Sequence, residues 1–200
     1  METSKALHKG GSPEGDRGQL FLIVGNSGSG KDSLLKDVLK RWPVSAKPIR
    51  IPQRYITRPA HGSEPFISVT SEDFDELNQR GKFCLTWHVY DTDYGVPVTI
   101  LNWLDQRVSV IVNVSRKIIP QARQLIPNLK VIFVSVPLEV TLQRVKSRNR
   151  ESEDDPGFQQ RLARAKENQT LVDADFVVDN SVPLEEAAEK LSGYLLSFTN

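Results

Sequence analysis

The stretch "GNSGSGKDS", Gly25 to Ser33, follows directly on the apolar run "LFLIV", and no other part of the chain restricts the fold so strongly. A continuous apolar run of this length reads as a strand covered on both faces. Behind the loop, an apolar-periodic segment from Lys31 to Arg41 reads as a helix, ended by Pro43 and Pro48. Gly25, Gly28 and Gly30 let the backbone turn without Cβ interference. The amides of Asn26, Ser27, Ser29 and their neighbours, with the positive end of the helix behind them, make an anion site. Lys31 adds a point charge of the kind that meets the β- and γ-phosphates of ATP. The spacing fits G-x-x-x-x-G-K-[ST] except in its last place, where Asp32 stands instead of a hydroxyl residue. Asp32 reads in two ways. It is a ligand for Mg²⁺, directly or through water, with Ser33 as the other candidate; or it only complements the helix dipole in the first turn.

The rest of the chain repeats the alternation. "QLFLIV" (19–24), "VSVIVNV" (108–114), "KVIFVSV" (130–136) and "DFVVDN" (175–180) are strand candidates rich in branched residues. Helical patterns separate them over 116–125, 138–148, 157–171 and 184–198. Strands alternating with helices predict an α/β fold, a parallel sheet wrapped by helices. From about 49 to 100 the style changes to short polar stretches around one helical piece, Ser71 to Arg80, with Ser71 as its cap. This reads as an inserted, mostly β region that binds the acceptor. The polar island "RNRESEDDPG", 148–157, reads as a lid between two helices.

Composition narrows the function classes. Twenty-six basic residues against twenty-five acidic leave a net charge of +1, so no global field draws the chain to nucleic acid or membrane. Anion recognition must come from local arginine clusters. Cys84 is the only cysteine; no internal disulfide is possible, and between Phe83 and Leu85 it reads as a small buried hydrophobe. No apolar stretch approaches the roughly 20 residues that span a bilayer. Residues 1–18 lack an apolar core segment and read as a disordered tail ahead of one domain, 19–200. The expected location is the cytoplasm, and the expected partners are small molecules.

With these residues in hand the chain resembles the nucleoside monophosphate kinases of the P-loop NTPase class, most of all the guanylate kinase family. "RYITRPAHGSE" resembles that family's arginine-rich loop for the acceptor phosphate, "DYGVP" its Tyr-Gly phosphate contact, and "RVKSRNR" with "QRLARA" its arginine-bearing lid. The resemblance implies Lys31, Arg144, Arg148 and Arg161 as catalytic. It implies Arg54, Tyr55, Thr57, Arg58 and Glu64 at the acceptor, with Tyr94, Asn113, Ser115 and Arg116 across from them. Arg144 and Arg148 lie four residues apart, on one helical face. Lid arginines of this kind stabilise transferring charge and exclude water, which is most of what phosphoryl transfer requires.

The same resemblance implies a different acceptor. Guanine is read in the family by a two-carboxylate clamp, and the matching positions hold Leu85 and Asn113. Arg54 stands where a small hydroxyl residue is usual, and Arg116 where glutamine and glycine are. Carboxylates lost and arginines gained suit a baseless sugar bisphosphate. "GSGKDSLL", "RYITR" and "VNVSR…PQAR" together resemble one subgroup, the ribose 1,5-bisphosphate phosphokinases of phosphonate metabolism. That implies transfer from ATP with Mg²⁺ to the acceptor's 1-phosphate, giving 5-phosphoribosyl 1-diphosphate. A nucleoside monophosphate kinase with altered base choice is the alternative. A noncatalytic binding module is another, against which Lys31 and the lid arginines stand. Trp87 and His88 are left outside the catalytic set.

Overall fold

A computed structural model describes residues 17–60, 65–147 and 156–199. Its main sheet has five strands: β1 (Leu20–Val24), β2 (Ile49–Arg50), β7 (Ser109–Asn113), β8 (Lys130–Ser135) and β9 (Phe176–Asp179). They run parallel in the order β2-β7-β1-β8-β9. The chain enters at the centre of the sheet, where all five residues of β1 are buried.

Alternation along the strands divides the core into two layers. Leu20, Leu22 and Val24 share a cluster with Val110, Val112, Val131 and Phe133. Onto it pack α3 (Thr99–Asp105) and α4 (Ile119–Leu125) through Ile100, Leu104, Ile119 and Ala122. Phe21 and Ile23 point the other way, against Ile111, Ile132 and Val134. That side is closed by α1 (Lys31–Lys40) and α7 (Leu184–Leu196), through Leu34, Leu35, Val38, Leu191 and Leu195. Each fully buried leucine or isoleucine here stabilises the fold by roughly 1.5–3 kcal/mol.

A second sheet lies between β2 and α3 in the chain. It comprises β3 (Arg54–Ile56), β4 (Phe66–Ser68), β5 (Phe83–Val89) and β6 (Thr92–Pro97), in the order β4-β3-β6-β5. Its helix, α2 (Ser71–Gln79), is capped by Thr70, whose side chain accepts from the amide of Asp73 at 3.1 Å. Ser71, expected as the cap, is the first helical residue; the extended backbone of Thr70 puts the hydroxyl one position earlier. Leu85 and Val96, opposite each other in the second sheet, belong to the same buried cluster as β1. The two sheets therefore share one core.

Three further differences from the sequence reading have local causes. Arg17 and Gly18, expected in the tail, are docked: the amide of Gly18 donates to Leu104 O at 2.7 Å, and Arg17 pairs with Asp105 at 2.7 Å. Gly18 must be glycine there, because a Cβ would lie 2.2 Å from Val108 O. Residues 116–118 form a 3-10 turn before α4, not the first turn of one helix. The region expected to be mostly β ends in the unforeseen helix α3, which starts at Thr99. α5 (Leu138–Ser147) and α6 (Pro156–Glu167) flank the expected lid. Most of that lid, Arg148 and 149–155, lies outside the described residues, as does Glu64.

Candidate active site

The loop between β1 and α1 turns through left-handed backbone at Gly28 (φ 80°) and Gly30 (φ 82°), where other residues would be strained. Gly30 has a second reason: a Cβ would meet Asn180 Nδ2 at 2.5 Å. Asn180, buried just past β9, donates from Nδ2 to Ser29 O at 2.7 Å, and its own carbonyl accepts from Arg144 at 3.0 Å. The Arg144 guanidinium thus lies beside the loop, 3.5 Å from where a Gly30 Cβ would be. Lys31 folds over the loop, its Nζ donating to Gly25 O at 2.7 Å, Asn26 O at 2.9 Å and Ser29 Oγ at 3.1 Å. Asn26 is tied outward, donating to Ala165 O and Asn168 O at 3.3 and 3.2 Å. Asn180 carried no signal in the sequence beyond its place after an apolar run.

Asp32 and Ser33 are exposed in the first turn of α1. Asn113 ends β7, opposite Ile23 of β1. Its amide donates to Asp32 Oδ1 at 3.0 Å. Two residues expected at different ends of the site, one on metal and one on acceptor, are in direct contact.

The expected acceptor residues divide between the two faces of the second sheet. Ile56 pairs with Tyr94, and Trp87 pairs with Tyr94 from the other side. By strand alternation Arg54 and Ile56 share this face, which meets the main core through Leu85, Trp87 and Val96. The rings of Trp87 and Tyr94 are stacked, 5.2 Å apart and 3° from parallel. Arg58 lies over the Phe66 ring at 4.5 Å and donates to Pro59 O. Tyr55 occupies the opposite face. It packs 5.2 Å from Phe83, which stacks on Phe74 of α2. Gly95 of "DYG" makes room for Phe83, whose ring would lie 2.8 Å from a Cβ. Tyr55 thus braces the sheet beneath α2. Thr57, just past β3, ties that strand's end to β6: its Oγ1 accepts from the Asp93 amide at 2.8 Å.

The sequence pattern of the guanylate kinases matches residues 17–197. The chain belongs to the guanylate kinase family. Among the curated proteins, the ribose 1,5-bisphosphate phosphokinase PhnN of Pseudomonas paraeruginosa is 38% identical over 180 residues, 89% of this chain and 95% of that protein. The PhnN of Thiobacillus denitrificans is 37% identical, covering 87% and 90%. Among solved structures, the guanylate kinase of Anaplasma phagocytophilum superposes with a TM-score of 0.65 at 20% identity, covering 91% of this chain and 86% of that one. That likeness is one of fold: the parallel sheet wrapped by helices is the guanylate kinase architecture.

Within this guanylate kinase fold Arg116, expected at the acceptor, reaches the segment after α6. Its guanidinium lies over the Phe133 ring at 5.5 Å and donates to Asn168 O and Thr170 O, both at 3.1 Å. Asn168 O also receives Asn26, so Arg116 and the phosphate loop hold the same segment after α6. Ser115 stands before the 3-10 turn, its carbonyl accepting from Ile118. Arg161 lies on α6. Arg116→Ala is expected to cost ~1–3 kcal/mol of stability, by leaving bound carbonyls without their charged donor. In kinetics it should raise KM for nucleotide and acceptor alike; thermal unfolding with steady-state rates checks this, and a loss confined to the acceptor would return Arg116 to the acceptor site.

Two remaining groups, Cys84 and His88, both stand on β5. Cys84 sits at a bulge of β5, its thiol donating toward Val96 O and Pro97 O. Burial pushes its pKa up to about 12, so it stays a neutral thiol. His88 Nδ1 lies 2.8 Å from Asp93 Oδ1 on an exposed edge of the second sheet. Among the described residues, no cluster of His, Cys, Asp and Glu has the make-up of a metal centre, and no helix is long and apolar enough to cross a membrane.

Proposed function

We propose that this chain transfers the γ-phosphoryl group of ATP to the 1-phosphate of ribose 1,5-bisphosphate, giving 5-phosphoribosyl 1-diphosphate and ADP. An oxygen of the 1-phosphate bonds to the γ-phosphorus as the bond to the β,γ-bridging oxygen breaks. The acceptor is already an anion near neutral pH and needs no general base. The chain's task is alignment and charge stabilisation. Lys31 and the loop amides hold the phosphates of ATP, and Arg144 approaches from beside Gly30.

One observation carries the choice of acceptor. Of the two positions expected for the carboxylate clamp, one is filled by Leu85, 1% exposed in the core, and the other, Asn113, is turned to Asp32 beside the loop. Leu85 accepts no hydrogen bond, and a base donor left unpaired there costs about 1–3 kcal/mol. The names of the curated relatives point the same way. Mg²⁺ fits the residues present, since Asp32 offers a carboxylate and Ser33 a hydroxyl, both hard oxygen donors at the start of α1. When bound, the ion neutralises charge developing between the β- and γ-phosphates. The reaction belongs in the cytoplasm, where ATP and sugar phosphates meet.

Steady-state rates with ribose 1,5-bisphosphate, ribose 5-phosphate, GMP and AMP at fixed ATP and Mg²⁺ test the reading. The bisphosphate is expected to exceed GMP in kcat/KM by about ten- to a hundredfold, the effect of one unpaired base donor. A preference for GMP would instead make the chain a nucleotide kinase.

A further inference from the structure

Enzymes with this phosphate loop hold Mg²⁺ between a hydroxyl that follows the lysine and an aspartate on a neighbouring strand. In this chain both positions are changed, and they are changed together. The residue after Lys31 is the carboxylate, Asp32, and the tip of β7, the strand beside β1, carries the neutral Asn113. The two positions are in contact: Asn113 Nδ2 donates to Asp32 Oδ1 at 3.0 Å across 81 residues of sequence. We infer that Asp32 and Asn113 are an exchanged pair, with the carboxylate moved from strand to helix. Asp32 supplies the charged oxygen for Mg²⁺, and Asn113 is its positioning residue.

Electrostatics explain why the two changes belong together. A second carboxylate at position 113 would face Asp32 at hydrogen-bond distance, and two such charges disfavour each other's ionised form. A hydroxyl at 32 beside Asn113 would leave no negative charge for the ion. Asparagine is nearly the shape of aspartate, is neutral, and donates the hydrogen bond that fixes the carboxylate's rotamer. The ion's single protein charge is therefore conserved in place while its bearer changes.

This inference rests on the proposal that MgATP binds at the loop, but not on the acceptor. Its test is equilibrium binding of a fluorescent ADP analogue, with and without saturating Mg²⁺, so that no turnover is involved. Asp32→Ser should reduce the Mg²⁺-dependent gain in affinity about ten- to hundredfold, the loss of one charge-assisted contact, while Mg²⁺-free affinity does not fall, since a carboxylate that repels the phosphates has gone. Asn113→Leu should reduce that gain by a smaller factor, without moving the Mg²⁺-free value. The double variant Asp32→Ser with Asn113→Asp should recover most of the gain lost in Asp32→Ser alone. A double variant no better than the single one overturns the exchange. So does Asn113→Leu if it weakens binding equally with and without Mg²⁺, since a merely structural residue would do that. Failure of the wild-type protein to bind the nucleotide at all would overturn the kinase reading itself, a separate and visible outcome.

Discussion

Replacing Lys31 with alanine should lower turnover by about a hundred- to a thousandfold while leaving the fold in place, the usual effect of losing one aimed donor to a charged transition state. The lysine ammonium lies on Gly25 O, Asn26 O and Ser29 Oγ, within the loop proposed to bind the phosphates of ATP. The loop itself thus holds the charge in place for them. Removing it leaves two backbone carbonyls that water can reach, because the side chain is only half-buried. The stability loss is accordingly limited to ~1–3 kcal/mol. Lys31→Arg keeps the charge but replaces a compact ammonium with a planar fork, and should recover only part of the rate. Rates at saturating ATP and acceptor, together with melting temperature, separate the two effects. A folded Lys31→Ala protein with near-normal turnover would remove the lysine from the chemistry.

The sequence carried the centre of this structure and lost its edges, for physical reasons. Strands β1, β7, β8 and β9 fall within a residue of the apolar runs that announced them; the first three are buried on both faces, whereas β9, an edge strand, is half exposed. In the second sheet the same reasoning fails. β3 is three residues long, two of them half-buried, so its faces carry no readable contrast. The resemblance grouped Tyr55 with Arg54 and Arg58, although Phe83 holds Tyr55 on the other face. Arg116 was visible as an unusual arginine, but its partners lie more than fifty residues onward, beyond any local pattern. The contact of Asn113 with Asp32 was hidden likewise. The glycine loop stood out because its chemistry is contained in nine consecutive residues.

That division of faces sharpens the expectation for the acceptor. Arg54 shares a face with Tyr94, whose ring is fixed by its stack on Trp87, and Arg58 lies over Phe66, the residue paired with Arg54. Two arginines and a phenol on one surface can engage both phosphates of a sugar bisphosphate, Arg58 with Tyr94 at one and Arg54 at the other. A charge-assisted contact of this kind is worth ~1.5–3 kcal/mol, so Arg54→Ala should lower kcat/KM for ribose 1,5-bisphosphate about ten- to hundredfold. The KM for ATP should barely move, because Arg54 stands on the second sheet and the loop on the first. Ribose 5-phosphate, with one phosphate fewer, should lose far less from Arg54→Ala than the bisphosphate does. Thr57→Ala and Tyr55→Ala supply the contrast: they should lower melting temperature, by exposing the Asp93 amide and opening space beside Phe83. Their effect on acceptor discrimination should be small. If Arg54→Ala instead weakens both phosphate acceptors equally, or if Thr57→Ala shifts the choice between them, then the face bearing Tyr94 is not where the second phosphate is read.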